Sequence, residues 1–187
     1  MRGLSILIPS KEEPKIPEML IKTEKCFPGA EIIVSNDRYS KGKGWALRQS
    51  LNQARGDVIA LIDGDMDIHP RMIWRLIPFI EDYDIVVGKK ENSGYLSRKV
   101  ITFFSRLFIK VLFGITVDTQ TGVKLFRRKA VKEWKSDGFM FDLEILYRAK
   151  REGKRMVEVP VDAIRSRKVN ALSVLACFKE AIKIKFI

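Results

Sequence analysis

The stretch from Asp57 to Pro70, DVIALIDGDMDIHP, places a short apolar run directly before a group of acidic residues. The run extends from Val58 to Ile62, and an uninterrupted apolar segment of this length is typical of a parallel strand that is buried on both faces. In open α/β sheets, ligands bind at the carboxyl ends of such strands. The stretch therefore predicts a central strand with a functional site at its end.

The acidic residues after this strand are Asp63, Asp65 and Asp67, which alternate with Gly64 and Met66. Three anionic side chains so close together repel one another unless a cation lies among them. Carboxylate oxygens suit a hard ion such as Mg²⁺ or Mn²⁺, and a bound diphosphate could complete the coordination. We therefore expect Asp63, Asp65 and Asp67 to hold a divalent metal.

Two other interpretations of the acidic segment are a calcium-binding loop and a polar turn without a ligand. A calcium loop of the helix-loop-helix type needs Gly at its sixth position and Glu at its twelfth, where this chain has Ile68 and Trp74, so that interpretation is excluded. The interpretation as a polar turn that binds no ligand is not excluded. The buried strand before the acids and the His69-Pro70 pair after them favour a site.

Predicted strands and helices alternate along the rest of the chain. The strands are expected at 4–8, 31–35, 58–62, 83–87 and 156–161, with a short one within VDTQTGVKLFRR. The helices are expected at 18–25, 43–54, 70–81, 95–113, 138–153 and in the tail 172–187. Since no internal repeat or low-complexity linker interrupts this order, it indicates one doubly wound, mostly parallel sheet flanked by helices.

A glycine-containing turn, Lys41-Gly42-Lys43-Gly44, precedes the predicted helix 43–54. Backbone N–H groups and Lys43 could meet a phosphate at the N-terminus of that helix. The turn matches neither the Walker pattern nor GxGxxG, so a flexible basic turn is the alternative.

The basic charge is confined to the second half of the chain. Residues 1–84 contain 12 Lys+Arg and 13 Asp+Glu, whereas residues 85–187 contain 23 and 10. This surplus indicates an anionic partner, with a solvated basic surface as the alternative. Nucleic acid is disfavoured because no recognised binding motif is present and the aromatic residues lie among aliphatic ones.

The predicted helix 95–113 combines a basic stripe with a broad apolar sector. The stripe contains Lys99, Thr102, Arg106 and Lys110. The apolar sector contains Val100, Phe103, Phe104, Leu107, Phe108 and Val111. This profile predicts a helix that lies in a lipid headgroup layer, and the tail is a second candidate. A core-packing helix with a basic exposed edge is the alternative.

Location follows from the cysteines and from the apolar runs. Cys26 and Cys177 lie far apart, without CxxC spacing or a secretory leader, which indicates a reducing cytoplasm. No apolar run reaches the roughly 18 to 20 residues that a membrane span needs. We expect a cytoplasmic protein that associates peripherally with the cytoplasmic face of the membrane.

Taken in order, several segments resemble glycosyltransferase family 2, and most closely its dolichyl-phosphate or polyprenyl-phosphate hexosyltransferase branch. The segments are ILIPSKEE, VSNDRYSKGKGWA, ARGDVIALIDGDMDIHP, DIVVGKK, SRKVITFFSRL, DTQTGVKLFRR, GFMFDLEIL and EVPVDAIRSR. The resemblance implies an A-type glycosyltransferase fold, a nucleoside-diphosphate sugar donor, Mg²⁺ or Mn²⁺, and inverting transfer of a hexose to a polyprenyl or dolichyl phosphate. It implies one domain over 1–187, with a nucleotide-sugar and metal half at 1–90 and an acceptor half at 91–187.

The resemblance also implies roles for individual residues. The nucleotide sugar would be bound by Pro9, Ser10, Glu13, Asp37, Lys43, Asp63, Gly64 and Asp65. The catalytic residues would be Lys43, Asp65 and Asp142, and the metal ligands would be Asp63, Asp65 and Asp67. The acceptor would be bound by Arg98, Arg106, Gly122, Lys124 and Arg165.

The partners implied are a nucleotide-sugar donor, a lipid-phosphate acceptor and an anionic membrane surface, with room for a separate membrane-anchoring partner. The sequence does not indicate an oligomeric state.

A family 2 enzyme acting on a sugar hydroxyl is an alternative, in which Asp142 or Glu144 would remove a proton. A non-catalytic protein that binds a nucleotide sugar or an anionic surface is another, with Asp142 as a helix N-terminal acid. A nucleotidyltransferase is disfavoured because Pro9-Ser10-Lys11-Glu12 stands where its Gly-rich segment would follow the first strand.

Overall fold

The apolar run Val58–Ile62 forms a central strand, β3, and all of its residues are buried. Alternate side chains of a strand point to opposite faces of the sheet. Ile59 and Leu61 pack into one core layer, whereas Val58, Ala60 and Ile62 pack into the other. The strand is thus covered on both faces, as the sequence predicts.

The computed structural model describes residues 3–37, 39–90, 96–119, 121–131, 133–164 and 171–186, with the side chains of 96–101 and 171–176 outside this description. The strands are β1 (Leu4–Ser10), β2 (Glu31–Asn36), β3 (Val58–Ile62), β4 (Ile85–Lys90), β5 (Val123–Arg127) and β6 (Met156–Val161). They form one sheet in the order β2-β1-β3-β5-β4-β6. Only the pairs made by β5 are antiparallel, so the mostly parallel α/β sheet is confirmed.

The helices are α1 (Ile16–Cys26), α2 (Lys43–Gln53), α3 (Ile73–Leu76), α4 (Leu96–Phe113), α5 (Phe141–Arg151) and α6 (Ala171–Lys185). Buried side chains of α2, α4, α5 and α6 share one core layer. Those of α1 and α3 share the layer on the opposite face of the sheet. In the described part of the chain, no helix has the length and apolarity needed to cross a membrane.

The predicted helix 70–81 is broken into three short pieces. The α-helical part is only α3, which lies between 3₁₀ turns at Pro70–Met72 and Ile77–Glu81. Proline lacks the N–H that continues an α-helix, so Pro70 and Pro78 limit its length.

Strand β5 positions the second half of the chain beside the acidic segment. It lies antiparallel to β3 with Val123 opposite Ile62, and the Asp63 N–H donates to the Gly122 carbonyl at 2.9 Å. The start of β5 therefore lies beside the carboxyl end of β3, and Gly122 contacts Asp63 there.

Candidate functional site

A cavity of about 370 Å³ opens at the carboxyl ends of β1, β2 and β3. Its lining includes every residue that the sequence assigns to the nucleotide sugar, namely Pro9, Ser10, Glu13, Asp37, Lys43, Asp63, Gly64 and Asp65. It also includes Gly42, from the turn that the sequence singled out, and residues that sequence reasoning did not assign to the site, namely Lys11, Ser35, Ser40, Ala46, Gly138 and Phe139. The strand-end pattern thus located the cavity, but not the part of its wall that comes from the segment before α5.

An ion pair between Lys43 and Asp63 lies in the cavity wall, with Nζ and Oδ1 2.5 Å apart. Burial alone would lower the pKa of Lys43, but the carboxylates of Asp63 and Asp142 outweigh it, so that pKa is raised. Burial would likewise raise the pKa of Asp63, yet the Lys43 ammonium more than offsets it and lowers that pKa. Both groups are therefore charged at neutral pH, and the first turn of α2 brings a cation to the end of β3.

The acids after β3 do not converge on one point. Met66, between Asp65 and Asp67, has a positive φ of 60°, which turns the chain. Asp65 lines the cavity, whereas Asp67 is buried away from it with its carboxylate 3.6 Å from Lys90 Nζ. No group of three acidic, histidine or cysteine side chains in the described part of the chain could hold a metal ion. The expectation that Asp67 joins a three-carboxylate metal site is therefore wrong.

Two carboxylates of the segment still fit a divalent metal. Asp63 and Asp65 both line the cavity, and the Asp63 side chain is 37% exposed. Mg²⁺ is commonly bound by one or two carboxylates together with substrate phosphates. The donor set thus suits Mg²⁺ or Mn²⁺ only when a phosphate-bearing ligand shares it.

The N-terminus of α2 is occupied by other parts of the protein. Both carboxylate oxygens of Asp37 accept hydrogen bonds, from Lys41 N at 2.8 Å and from Gly42 N at 2.9 Å. The Asp137 carbonyl accepts hydrogen bonds from Gly44 N at 2.8 Å and Trp45 N at 3.2 Å. The predicted binding of a phosphate by these N–H groups is therefore corrected, since their acceptors are protein oxygens.

A buried carboxylate on α5, that of Glu144, holds the segment that covers α2. Glu144 is 1% exposed and accepts hydrogen bonds from the backbone N–H groups of Lys135 and Ser136, from the Ser136 hydroxyl and from Arg148. Burial would raise its pKa, but these donors lower it on balance. Glu144 therefore anchors Lys135 and Ser136 and does not line the cavity, so its alternative role as the acceptor's base is not supported.

Lys124 and Asp142 form a second, more deeply buried pair with Nζ and Oδ2 3.2 Å apart. Lys124 is 1% exposed and also donates to the Thr121 carbonyl at 2.6 Å. The predicted contact of Lys124 with an acceptor is corrected, because its ammonium is enclosed by protein groups. Burial raises the pKa of Asp142, and the ammonium groups of Lys124 and Lys43 offset this only in part.

Arg106, on α4, is turned toward the sheet. Its guanidinium donates to the carboxylate of Glu158 on β6 and lies 4.0 Å from that of Asp118. It therefore does not continue a basic stripe that faces away from the protein, contrary to the prediction. The side chain of Arg98 and the whole of Arg165 lie outside the described residues, so their predicted contacts stay predictions.

Comparison with known proteins identifies the family and the fold of the chain. The family model described as "Glycosyltransferase like family 2" matches residues 10–183. The undecaprenyl-phosphate mannosyltransferase of Micrococcus luteus is 24% identical, and the match covers 86% of this chain and 83% of that protein. The glycosyltransferase AglD of Haloferax volcanii is 31% identical, and the match covers 68% of this chain and 22% of AglD.

Among solved structures, the glucosyl-3-phosphoglycerate synthase of Mycobacterium tuberculosis superimposes with a TM-score of 0.75 at 18% identity, covering 98% of this chain and 79% of that chain. That enzyme has also been solved with Mn²⁺, uridine diphosphate and phosphoglyceric acid. This likeness shows that the protein has the A-type glycosyltransferase fold. Because the family model spans most of the sequence, the chain belongs to glycosyltransferase-like family 2.

Proposed function

We propose that the protein transfers a hexose, with inversion, from a nucleoside-diphosphate sugar of the GDP-mannose or UDP-glucose type to a polyprenyl phosphate at a membrane surface. The observation that carries this proposal is the cavity at the strand ends, with a charged lysine and two half-buried carboxylates in one wall. Such a wall suits a diphosphate whose negative charge must be balanced. The named activity of the Micrococcus luteus relative supports the choice of acceptor.

The diphosphate would lie against Lys43, Asp63 and Asp65. Lys43 keeps its proton at neutral pH because Asp63 and Asp142 raise its pKa, so its ammonium balances the charge that grows on the departing nucleoside diphosphate. A divalent metal held by Asp63 and Asp65 would supply further positive charge to the same group. The Mycobacterium tuberculosis structure with Mn²⁺ and UDP-glucose supports a donor of this kind.

Asp142 would face the acceptor side of the reaction. A phosphate acceptor arrives already ionised, so no strong base is needed to remove a proton from it. Burial raises the pKa of Asp142, and its ion pair with Lys124 reduces the repulsion that its carboxylate would exert on an anionic acceptor. The same raised pKa would make Asp142 a better base for a sugar hydroxyl, so the acceptor itself must be tested.

An exposed apolar surface supports attachment to a membrane. Phe103, Phe104, Leu107 and Val111 of α4 are all exposed, and Val111 reaches 74%. Side chains of this kind are found on helices that insert into the headgroup layer, and basic residues such as Lys110 would meet anionic lipids. Phe108 is not part of this surface, because its ring packs edge-on against Phe178 of α6 at 4.6 Å.

The test is a transfer assay with radiolabelled GDP-mannose and UDP-glucose in the presence of Mn²⁺. A polyprenyl phosphate in vesicles and a panel of soluble sugars serve as competing acceptors. We expect the label in the lipid fraction with one of the donors. Label in a soluble sugar, with none in lipid, would replace the lipid acceptor by a hydroxyl acceptor.

A further inference from the structure

Ser35, in β2, carries a buried hydroxyl for which no hydrogen-bond partner exists among the described residues. The residue is 2% exposed and lies in the wall of the strand-end cavity. A buried hydroxyl without a partner is unfavourable for folding, so an instance of it in a native protein calls for an explanation. Its place in the cavity wall points to a ligand as that explanation.

The strand itself does not require a hydroxyl at residue 35. Ile33 shares the face of Ser35, because side chains two residues apart point the same way, and Ile33 packs against the core layer that contains α2. An apolar side chain would therefore suit the fold at residue 35. Asp37, the next residue on that face, already accepts from the backbone of Lys41 and Gly42. Ser35 is thus a buried polar group at this strand end that has no partner among the described residues.

The order of the strands indicates which part of a donor would reach Ser35. Asp63 and Asp65 follow β3, whereas Ser35 lies on β2, with β1 between them. Neighbouring strands lie about 4.8 Å apart, so the two ends are separated by roughly 10 Å. That distance is about the reach of a nucleoside from its diphosphate.

We propose that the Ser35 hydroxyl hydrogen-bonds to the nucleoside of the donor and thereby contributes to recognition of the nucleotide. The assignment rests on the proposed function, since it places the diphosphate at Asp63, Asp65 and Lys43. Ser35 is a specificity residue in this assignment and takes no part in bond breaking.

Calorimetry with Mn²⁺ and either UDP or GDP tests the assignment in wild type and in Ser35→Ala. We expect the better-bound nucleotide to bind about tenfold more weakly to the variant, which corresponds to the loss of one hydrogen bond. Inorganic pyrophosphate, which has no nucleoside, should bind equally to both proteins. The melting temperature without ligand should be unchanged or higher, because the variant removes an unpaired hydroxyl.

Matched variants separate the hydroxyl from the shape of the side chain. The variants Ser35→Thr and Ser35→Val have side chains of nearly the same shape, but the first keeps a hydroxyl where the second has a methyl group. Ser35→Thr should therefore bind the nucleotide more tightly than Ser35→Val. Ser50→Ala removes another buried hydroxyl, one that donates to the Ala46 carbonyl, and should leave nucleotide affinity as in wild type.

Equal nucleotide affinity in wild type and Ser35→Ala would overturn the assignment and leave the proposed function intact. A similar loss for pyrophosphate would also overturn it, since Ser35 would then act on the phosphate end. If wild type binds neither nucleotide, the proposed function fails, and this assignment fails with it.

Discussion

Gly122 lies so close to Asp63 that a Cβ at residue 122 would come within 2.4 Å of Asp63 Oδ2. The Asp63 carboxylate is short and already pairs with Lys43, so it has little freedom to move aside. We predict that Gly122→Ala displaces this carboxylate and lowers kcat/KM for the donor about 10- to 100-fold, with the fold retained. Steady-state kinetics of donor hydrolysis or transfer provide the measurement.

A double variant serves as the control for that prediction. If Gly122→Ala acts through Asp63, it should add little to the effect of Asp63→Asn. Additive losses would mean that Gly122 matters for another reason, such as direct contact with the acceptor.

Asp65 and Asp67 form a second matched pair. Asp65 lines the cavity, whereas Asp67 is buried beside Lys90. We predict that Asp65→Ala abolishes metal-dependent donor binding, while Asp67→Ala retains it and lowers the melting temperature instead. Calorimetry with Mn²⁺ and the preferred nucleotide distinguishes the two. If Asp67→Ala lost metal-dependent binding and Asp65→Ala retained it, Asp67 and not Asp65 would be the metal ligand.

The anchor formed by Glu144 gives a prediction that depends on pH. Its pKa is lowered in the folded protein, so its ionised form contributes stability above its unfolded value of about 4.3, and this contribution is lost as pH falls through the folded pKa. Glu144→Gln should therefore lower the free energy of unfolding by about 2 kcal/mol at pH 7.

Urea denaturation of wild type and Glu144→Gln at several pH values measures this difference. The difference should shrink as the solution is acidified below pH 4, if both proteins still fold there. A difference independent of pH would show that the charge of Glu144 is not what holds residues 135 and 136.

The exposed face of α4 can be tested against an equally exposed residue elsewhere. We predict that Phe103→Asp combined with Val111→Asp weakens binding to anionic vesicles at least about tenfold and spares donor hydrolysis. Ile21→Asp is the control, since Ile21 is 54% exposed on α1, which packs on the other face of the sheet. Equal sedimentation of all three proteins with vesicles would exclude α4 as the membrane surface.

Asp142→Asn tests the chemistry of the acceptor. With a phosphate acceptor we expect a loss of kcat below about tenfold, because no proton has to be removed. With a hydroxyl acceptor the loss should lie near 10²- to 10⁴-fold, and the wild-type rate should rise with pH as Asp142 ionises. The pH–rate profiles of wild type and variant with each acceptor decide between the two.

Much of the fold was readable because buried strands leave a simple pattern. The Val58–Ile62 run predicted β3 to the residue, and acids and prolines at strand ends indicated where a ligand would bind. Those features are local, so a sequence shows them directly. The cavity lining around Pro9, Asp37 and Asp63 follows from the same rule.

The features that were missed depend on contacts between distant segments or on single backbone angles. The positive φ of Met66 separates Asp65 from Asp67, and a methionine in the sequence does not predict a positive φ. A helical projection of α4 shows a basic stripe, but it cannot show that Glu158 on β6 draws Arg106 inward. Phe139 enters the cavity wall from a part of the chain far from the strand ends, and sequence spacing does not reveal that.

Strand β5 comes late in the chain but lies between β3 and β4, which are both complete by residue 90. Before β5 is added, β3 has only β1 as a neighbour, so one of its edges is unpaired, and both edges of β4 are unpaired. The first 90 residues cannot assemble the centre of the sheet by themselves. The pairing of β5 with β3 also brings Gly122 against Asp63, so the centre of the sheet and this contact in the site form together.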